Sequence, residues 1–229
     1  MSSKGGAMAR ARAARFWTVV QGQAKELLAT AQALENPAAR DQATQRLYDL
    51  APVLGKAAQA YHRELGVEFN PVSPPPGSRL EILVTCDGNG AGAAAVRELV
   101  AAAPALPAGL NVRAFRPPMP PEVIEVSEVE VGGKGVKLGD IRFTATPSAA
   151  HAGRFDIQAF VPWQAVTPDD RGNPGSVIAM LALGHGIGEE RLLERVGEVR
   201  IELTFQPAAQ GLRSWELCPL LDGQAAPAA

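Results

Sequence analysis

The stretch from Leu80 to Pro118 constrains the fold of this chain more than any other. An apolar run, Leu80 to Cys86, ends in Asp87-Gly88-Asn89-Gly90-Ala91-Gly92, an Ala/Val/Leu-rich segment follows, and Asn111-Val-Arg-Ala-Phe-Arg-Pro-Pro closes it. The run is too uniformly apolar for a strand with one wet face, so it reads as a central strand covered on both sides. The segment Ala91 to Ala103 reads as a helix and Asn111 to Arg116 as a second strand. A strand-helix-strand unit of this length favours a parallel pair joined by a crossover.

Upstream, Phe16, Val19, Val20, Ala24, Leu27, Leu28, Ala31 and Leu34 recur at helical spacing until Asn36-Pro37 stops them. A second helix is expected from Pro37 to Leu65, kinked or split at Pro52, and the two should form an antiparallel hairpin. Asn70-Pro-Val-Ser-Pro-Pro-Pro-Gly reads as a stiff connector, because consecutive prolines favour polyproline II. Downstream, Val123 to Val131, Ile141 to Thr146 and Phe155 to Val161 read as an antiparallel meander. Pro174 to Leu183 and Glu189 to Val196 read as helices separated by the breaker Gly184-His-Gly-Ile-Gly. Val199, Ile201, Leu203 and Phe205 alternate with polar residues in a final one-sided strand.

The expectation is therefore an α+β fold: an N-terminal helical hairpin packed on a mixed sheet made of a β-α-β unit, an antiparallel meander, a late helix and a final strand. The divisions are a disordered lead (residues 1–8), the hairpin (9–68), the connector (69–78), the sheet domain (79–221) and a frayed tail (222–229). The acid-free, basic Met1 to Lys25 superficially matches an organellar transit peptide, but Phe16-Trp17-Thr18-Val19-Val20 continues it directly into the helical pattern.

At 229 residues, 46% hydrophobic and 20% charged, the chain has enough apolar material for a core without staples. A net charge of -2 and only 7 Phe, 3 Trp and 2 Tyr give neither attraction for phosphate backbones nor stacking platforms, which argues against nucleic-acid binding. No apolar run approaches a membrane span. Cys86 and Cys218 form no CxxC pair and no zinc spacing, and read as buried thiols in a reducing cytoplasm.

The Asp87 to Gly92 turn invites three chemical readings. A phosphate loop needs Lys followed by Ser or Thr, where Ala93-Ala94-Ala95 stands. A dinucleotide fingerprint needs a third glycine where Ala93 stands. A calcium loop is approximated by Asp87, Asn89, Gly92 and Glu98 at positions 1, 3, 6 and 12, but Ala91 removes the position-5 ligand. The simplest reading has Asp87 capping the helix and the glycines allowing a left-handed turn.

His62, His151 and His185 share no metal-ligand spacing. His185, flanked by Gly184 and Gly186, is the candidate for contact with a ligand, since glycines let a backbone approach closely; a helix-terminus loop explains the same glycines without chemistry. The pairs Asp169-Asp170 and Glu189-Glu190 and the absence of a G-x-S-x-G elbow supply no catalytic set. Arg113 and Arg116, flanking Phe115, are candidates for an anion or partner surface.

The Phe16-Trp17 helix start, Glu81-Ile-Leu-Val-Thr-Cys-Asp-Gly, Leu99-Val-Ala-Ala-Ala-Pro, Ala114-Phe-Arg-Pro and the late Leu-Gly…Gly-Glu-Glu junction resemble, in the same order, a bacterial family of domains of unknown function. The resemblance spans Phe16 to Leu220. It departs at Thr85-Cys86, where members read Ser-Ala, and at Leu183-Gly-His-Gly-Ile-Gly-Glu, where members keep an unbroken helix. It implies a soluble bacterial accessory domain and brings no catalytic residues. Two functions stay open on these grounds. One is a non-enzymatic protein-binding or regulatory module, such as an immunity-type inhibitor, without cofactor and with a protein partner. The other is a small-ligand binder or enzyme using Asp87, Asn89, Gly90, Gly92 and His185.

Overall fold

The computed structural model describes residues 3–72, 79–131, 134–166, 172–206 and 208–223. It is an α+β structure, with helices and small mixed sheets. The chain divides into two compact units, Met1–Arg116 and Pro117–Ala229. The division thus falls after the second β-α-β strand, not in the Pro-rich connector, whose residues 73–78 lie outside the described ones.

In the first unit, α1 (Ser3–Ala33) begins well inside the segment expected to be a disordered lead. It buries Ala13, Phe16, Trp17, Val20, Ala24, Leu27 and Ala31, one face of a 3.6-residue period. It packs on α2 (Arg40–Tyr61), which runs unsplit through Pro52 and buries Leu47, Leu50, Leu54, Ala58 and Tyr61. The Trp17 indole donates to the Leu99 carbonyl at 3.0 Å, so the large ring is buried with its one polar atom satisfied.

A strand that periodicity missed follows: β1 (Gly66–Val72) occupies residues assigned to the end of the hairpin and the start of the connector. It pairs antiparallel with β2 (Arg79–Thr85), which pairs parallel with β3 (Leu110–Ala114) through α3 (Ala93–Ala101). Every residue from Leu80 to Cys86 is buried, as expected of the central strand in the order β1-β2-β3. Hydrogen bonding explains why Pro71 is tolerated: β1 is an edge strand, where a missing N–H can face away from the sheet.

The second unit opens with α4 (Pro121–Val126), which replaces the first half of the expected strand 123–131. Pro121 sits at the first helical position, where its fixed φ is favourable and its missing N–H is no loss. The hairpin β4 (Glu128–Val131) and β5 (Lys134–Lys137) forms a separate two-stranded sheet. The continuous meander is therefore not formed: β6 (Arg142–Pro147) pairs antiparallel with β7 (Phe155–Pro162), and β8 (Val196–Thr204) adds to β7 in parallel.

The crossover from β7 to β8 contains α5 (Ser176–Ile187) and α6 (Glu189–Arg195). The expected five-residue breaker is not one, because α5 runs through Gly184-His185-Gly186; only Gly188, at φ 81°, interrupts it. α5 is apolar nearly all round and buries Ile178, Ala179, Ala182, Leu183 and Ile187, as a core helix must. These residues form one apolar cluster with Ile124, Phe143, Ile157, Ala159, Val161, Leu217 and Leu221, the last on the closing helix α7 (Cys218–Leu221). Among the described residues, no helix is long and apolar enough to cross a membrane.

Candidate functional site

The Asp87 to Gly92 turn is held together by its own groups. Asp87 and Gly88 take left-handed conformations, φ 51° and 74°, which reverse the chain at the end of β2. The Asp87 N–H donates to Thr85 Oγ1 at 3.0 Å and the Asn89 N–H to the Cys86 carbonyl at 2.8 Å. Neither Asp87 nor any other side chain caps α3, whose N-cap is Gly92; Asn89 caps the 3-10 turn Gly90–Gly92 before it, its Oδ1 accepting the Ala91 N–H at 3.0 Å and its carbonyl the Gly92 N–H at 2.9 Å. The glycine at 92 answers to packing, since an added Cβ would lie 2.6 Å from Cys86 Cβ. At Gly90 the same atom would meet nothing within 4 Å.

The ligands of the calcium-like reading are dispersed. The Asp87 carboxylate accepts from Arg116 at 3.0 Å, while Glu98 accepts the Tyr61 hydroxyl at 3.0 Å. Burial and that contact together raise the Tyr61 pKa. Asn89 Nδ2 donates to Glu64 at 2.8 Å. Among the described residues, no group of three or more His, Cys, Asp or Glu is gathered as a metal would require.

Arg116 is the hub beyond the turn. Its guanidinium forms a two-pronged pair with Glu68 on β1 as well as reaching Asp87, and these contacts raise its already high pKa. Its side chain is largely covered, so it ties β1, the β2 turn and the end of β3 together and is not an open anion receptor. Phe115, at φ 66°, is buried beneath the Arg97 guanidinium, 4.8 Å from its ring centre.

Arg113 behaves differently, being half exposed on β3 with Nε donating to Glu81 at 3.0 Å. Glu81 is the one acid inside the buried run of β2, and it also accepts from Asn70 on β1 at 3.3 Å. Beside this pair lies a groove lined by the whole of β3, by Glu81, and by Val100, Pro104 and Leu106. Alternation sorts its walls: Asn111 and Arg113 stand on the polar face with Glu81, and Val112 stands on the opposite face, toward Val100 and Leu106.

Among the described residues, the outer edge of β3 pairs with no strand. In a parallel ladder both polar groups of a residue point to the same neighbour and alternate residues face opposite ways. The Gly109 carbonyl accepts the Leu80 N–H at 2.9 Å and the Phe115 N–H donates to the Val84 carbonyl at 2.9 Å. Asn111 and Arg113 share that parity and bond to β2, so the N–H and C=O of Val112 and Ala114 point away from the sheet into the groove. Sequence reasoning singled out Arg113 but missed the groove; the isolated acid at Glu81 in an otherwise apolar run was its signal.

His185 lies in the second unit, inside α5. Its carbonyl accepts the Met119 N–H at 2.8 Å. The adjacent Gly186 leaves space for the following loop, since a Cβ there would sit 2.1 Å from Ser214 Oγ and 2.7 Å from the Ser214 carbonyl carbon. The Cys218 thiol donates to the Gly186 carbonyl at 3.5 Å, and burial raises its pKa. Gly186 thus serves packing of α5 on the 3-10 turn Ser214–Leu217, whereas a Cβ at Gly184 would make only an ordinary contact with Leu192 at 3.8 Å. His62 ends α2, its Nδ1 accepting the Glu64 N–H at 3.4 Å, and His151 is exposed in the β6–β7 loop. Glu189 is buried and Glu190 exposed; Asp169-Asp170 lie outside the described residues.

No family model, curated protein or solved structure matches this chain.

Proposed function

We propose that this protein is a non-enzymatic protein-binding or regulatory module, a bacterial cytoplasmic accessory protein of the immunity-inhibitor kind, which takes an extended segment of its partner as a fourth strand beside β3. The observation that carries this reading is the groove whose floor is the outward-facing backbone of Val112 and Ala114. An added strand gains main-chain hydrogen bonds there, while alternate side chains meet an apolar wall of Val100 and Leu106 and a polar wall of Asn111 and Arg113. The occupant is therefore an extended segment alternating apolar and polar residues. The turn offers less: Asp87 is committed to Arg116, and Asn89 occupies the Ala91 amide that an anion would need.

Panning a display library of random linear peptides on the intact chain tests this directly. Enriched peptides should show that alternation and bind the wild type. Val112→Pro removes the outward N–H without touching the β2–β3 ladder and should weaken binding at least ~tenfold with thermal unfolding little changed. Failure to enrich any peptide, or equal binding by the proline variant, overturns the proposal.

A further inference from the structure

The strand β8 ends the second sheet, and among the described residues its outer side pairs with no strand. The opposite edge, β6, is met by an isolated antiparallel bridge between Phe143 and Leu212. Natural edges of this length are blunted by charge or irregularity, because their free backbone groups template pairing with another chain. β8 has a bulge: its register against β7 steps from Phe155↔Val196 to Ile157↔Val199. That leaves Val199 to Thr204 as its regular part. The charges along it alternate in sign, Glu198, Arg200 and Glu202, and all three are exposed. Arg200 already folds back on Glu198 at 2.8 Å.

We infer that β8 pairs antiparallel with β8 of a second copy of this chain, in the register centred on Ile201. A two-fold axis at Ile201 places Arg200 opposite Glu202 of the second copy, and Glu202 opposite its Arg200. On the other face it sets Val199 against Leu203, which is 45% exposed in the single chain. Directly opposed residues share a face in an antiparallel pair, so both matches are contacts between like environments. Slipping the axis to Arg200 places that arginine on its own copy and Glu198 and Glu202 on each other, three like-charge oppositions that a pair of strands does not tolerate. Moving it to Val199 keeps as many charge matches, Glu198 with Arg200 of the other copy, but sets Leu203 against Arg195, outside the regular strand. Charge order and the extent of the regular strand together select one register, and the self-complementary order selects a second copy as partner.

Charge reversal tests it in the full chain by sedimentation equilibrium from ~1 μM to ~1 mM. The wild type should reach a dimer. Arg200→Glu leaves three acids in a row and should weaken dimerisation at least ~tenfold, as should Glu202→Arg. The double variant Arg200→Glu/Glu202→Arg restores each opposition with its signs exchanged and should recover the dimer. Circular dichroism of each exposed-site variant should match the wild type, which separates lost pairing from lost folding. A wild type that stays monomeric throughout, or a double variant no better than the singles, overturns the inference.

Discussion

The two units solve one topological problem with different chemistry. Each has a three-stranded sheet in which the first strand is antiparallel and the third parallel to a central one, with helix in the crossover: β1-β2-β3 through α3, and β6-β7-β8 through α5 and α6. In the first, one face of the sheet carries paired charges, Arg116 with Glu68 and Asp87, and Arg113 with Glu81. In the second, the side chains gathered around α5 are mainly apolar, with Ser214 and Glu189 the buried polar exceptions, and the edge strand β8 carries alternating charge. The same strand order therefore leaves different things exposed: an unpaired backbone beside an apolar wall at β3, and alternating charge at β8. What distinguishes the units is how each edge is dressed.

The comparison breaks most sharply if the units do not hold separate cores. Phe16 lies 1% exposed in the first and Phe143 0% exposed in the second. Removing either ring should destabilise by ~3–5 kcal/mol through lost transfer energy and a residual cavity. Hydrogen exchange read by mass spectrometry should show Phe143→Ala lowering protection within 117–223 while Phe16→Ala lowers it within 3–116. Equal loss across both segments for either variant would mean one cooperative body in place of two.

Glycines sharpen the contrast at the next scale. Gly186→Ala drives a methyl group against the Ser214 backbone as well as its side chain, and should destabilise the second unit by ~2–3 kcal/mol. Gly92→Ala presses on Cys86 Cβ at 2.6 Å and on Glu64 Cβ at 3.2 Å, and should destabilise the first by ~1–2 kcal/mol. Gly22, mid-way along α1, would gain a Cβ with nothing within 4 Å, so Gly22→Ala should stabilise by up to ~1 kcal/mol. Thermal unfolding of the three variants gives the signs, and a neutral Gly186→Ala would return His185 and its glycines to the list of ligand-contact candidates.

Where side-chain period equals structural period, the sequence could be read directly. The α1 stripe from Phe16 to Ala31, the buried run Leu80 to Cys86 and the alternation Ile157, Ala159, Val161 all follow from burial of one face or two. Misreadings arose where local rules compete. Pro71 and the prolines after it hid β1, because an edge strand tolerates what a central one does not. Val123, Ile124 and Val126 look β-like, but a proline at the first helical position starts α4. Gly186 read as a breaker because periodicity carries no information about a loop pressing on the helix from far along the chain. At the turn, residue types identified the reversal but not its wiring: Arg116, 29 positions away from Asp87, decides where that carboxylate goes.

The smallest effect concerns the end of the second unit. Asp222 accepts from Arg191 at 2.8 and 2.9 Å, and this contact holds its carboxyl pKa below the ordinary value. A carboxylate whose folded pKa is depressed contributes stability that is complete above its unfolded pKa, near 3.9, and is lost as pH falls through the folded value. Both side chains are about a third exposed, so the contribution is under ~1 kcal/mol and shrinks further with salt. Asp222→Asn should therefore lower the denaturant midpoint slightly at about pH 6, with the gap to wild type closing as the pH falls below about 4. A gap that persists unchanged at about pH 2 would show that the asparagine disturbs packing beside α7, and that the pair contributes nothing through its charge.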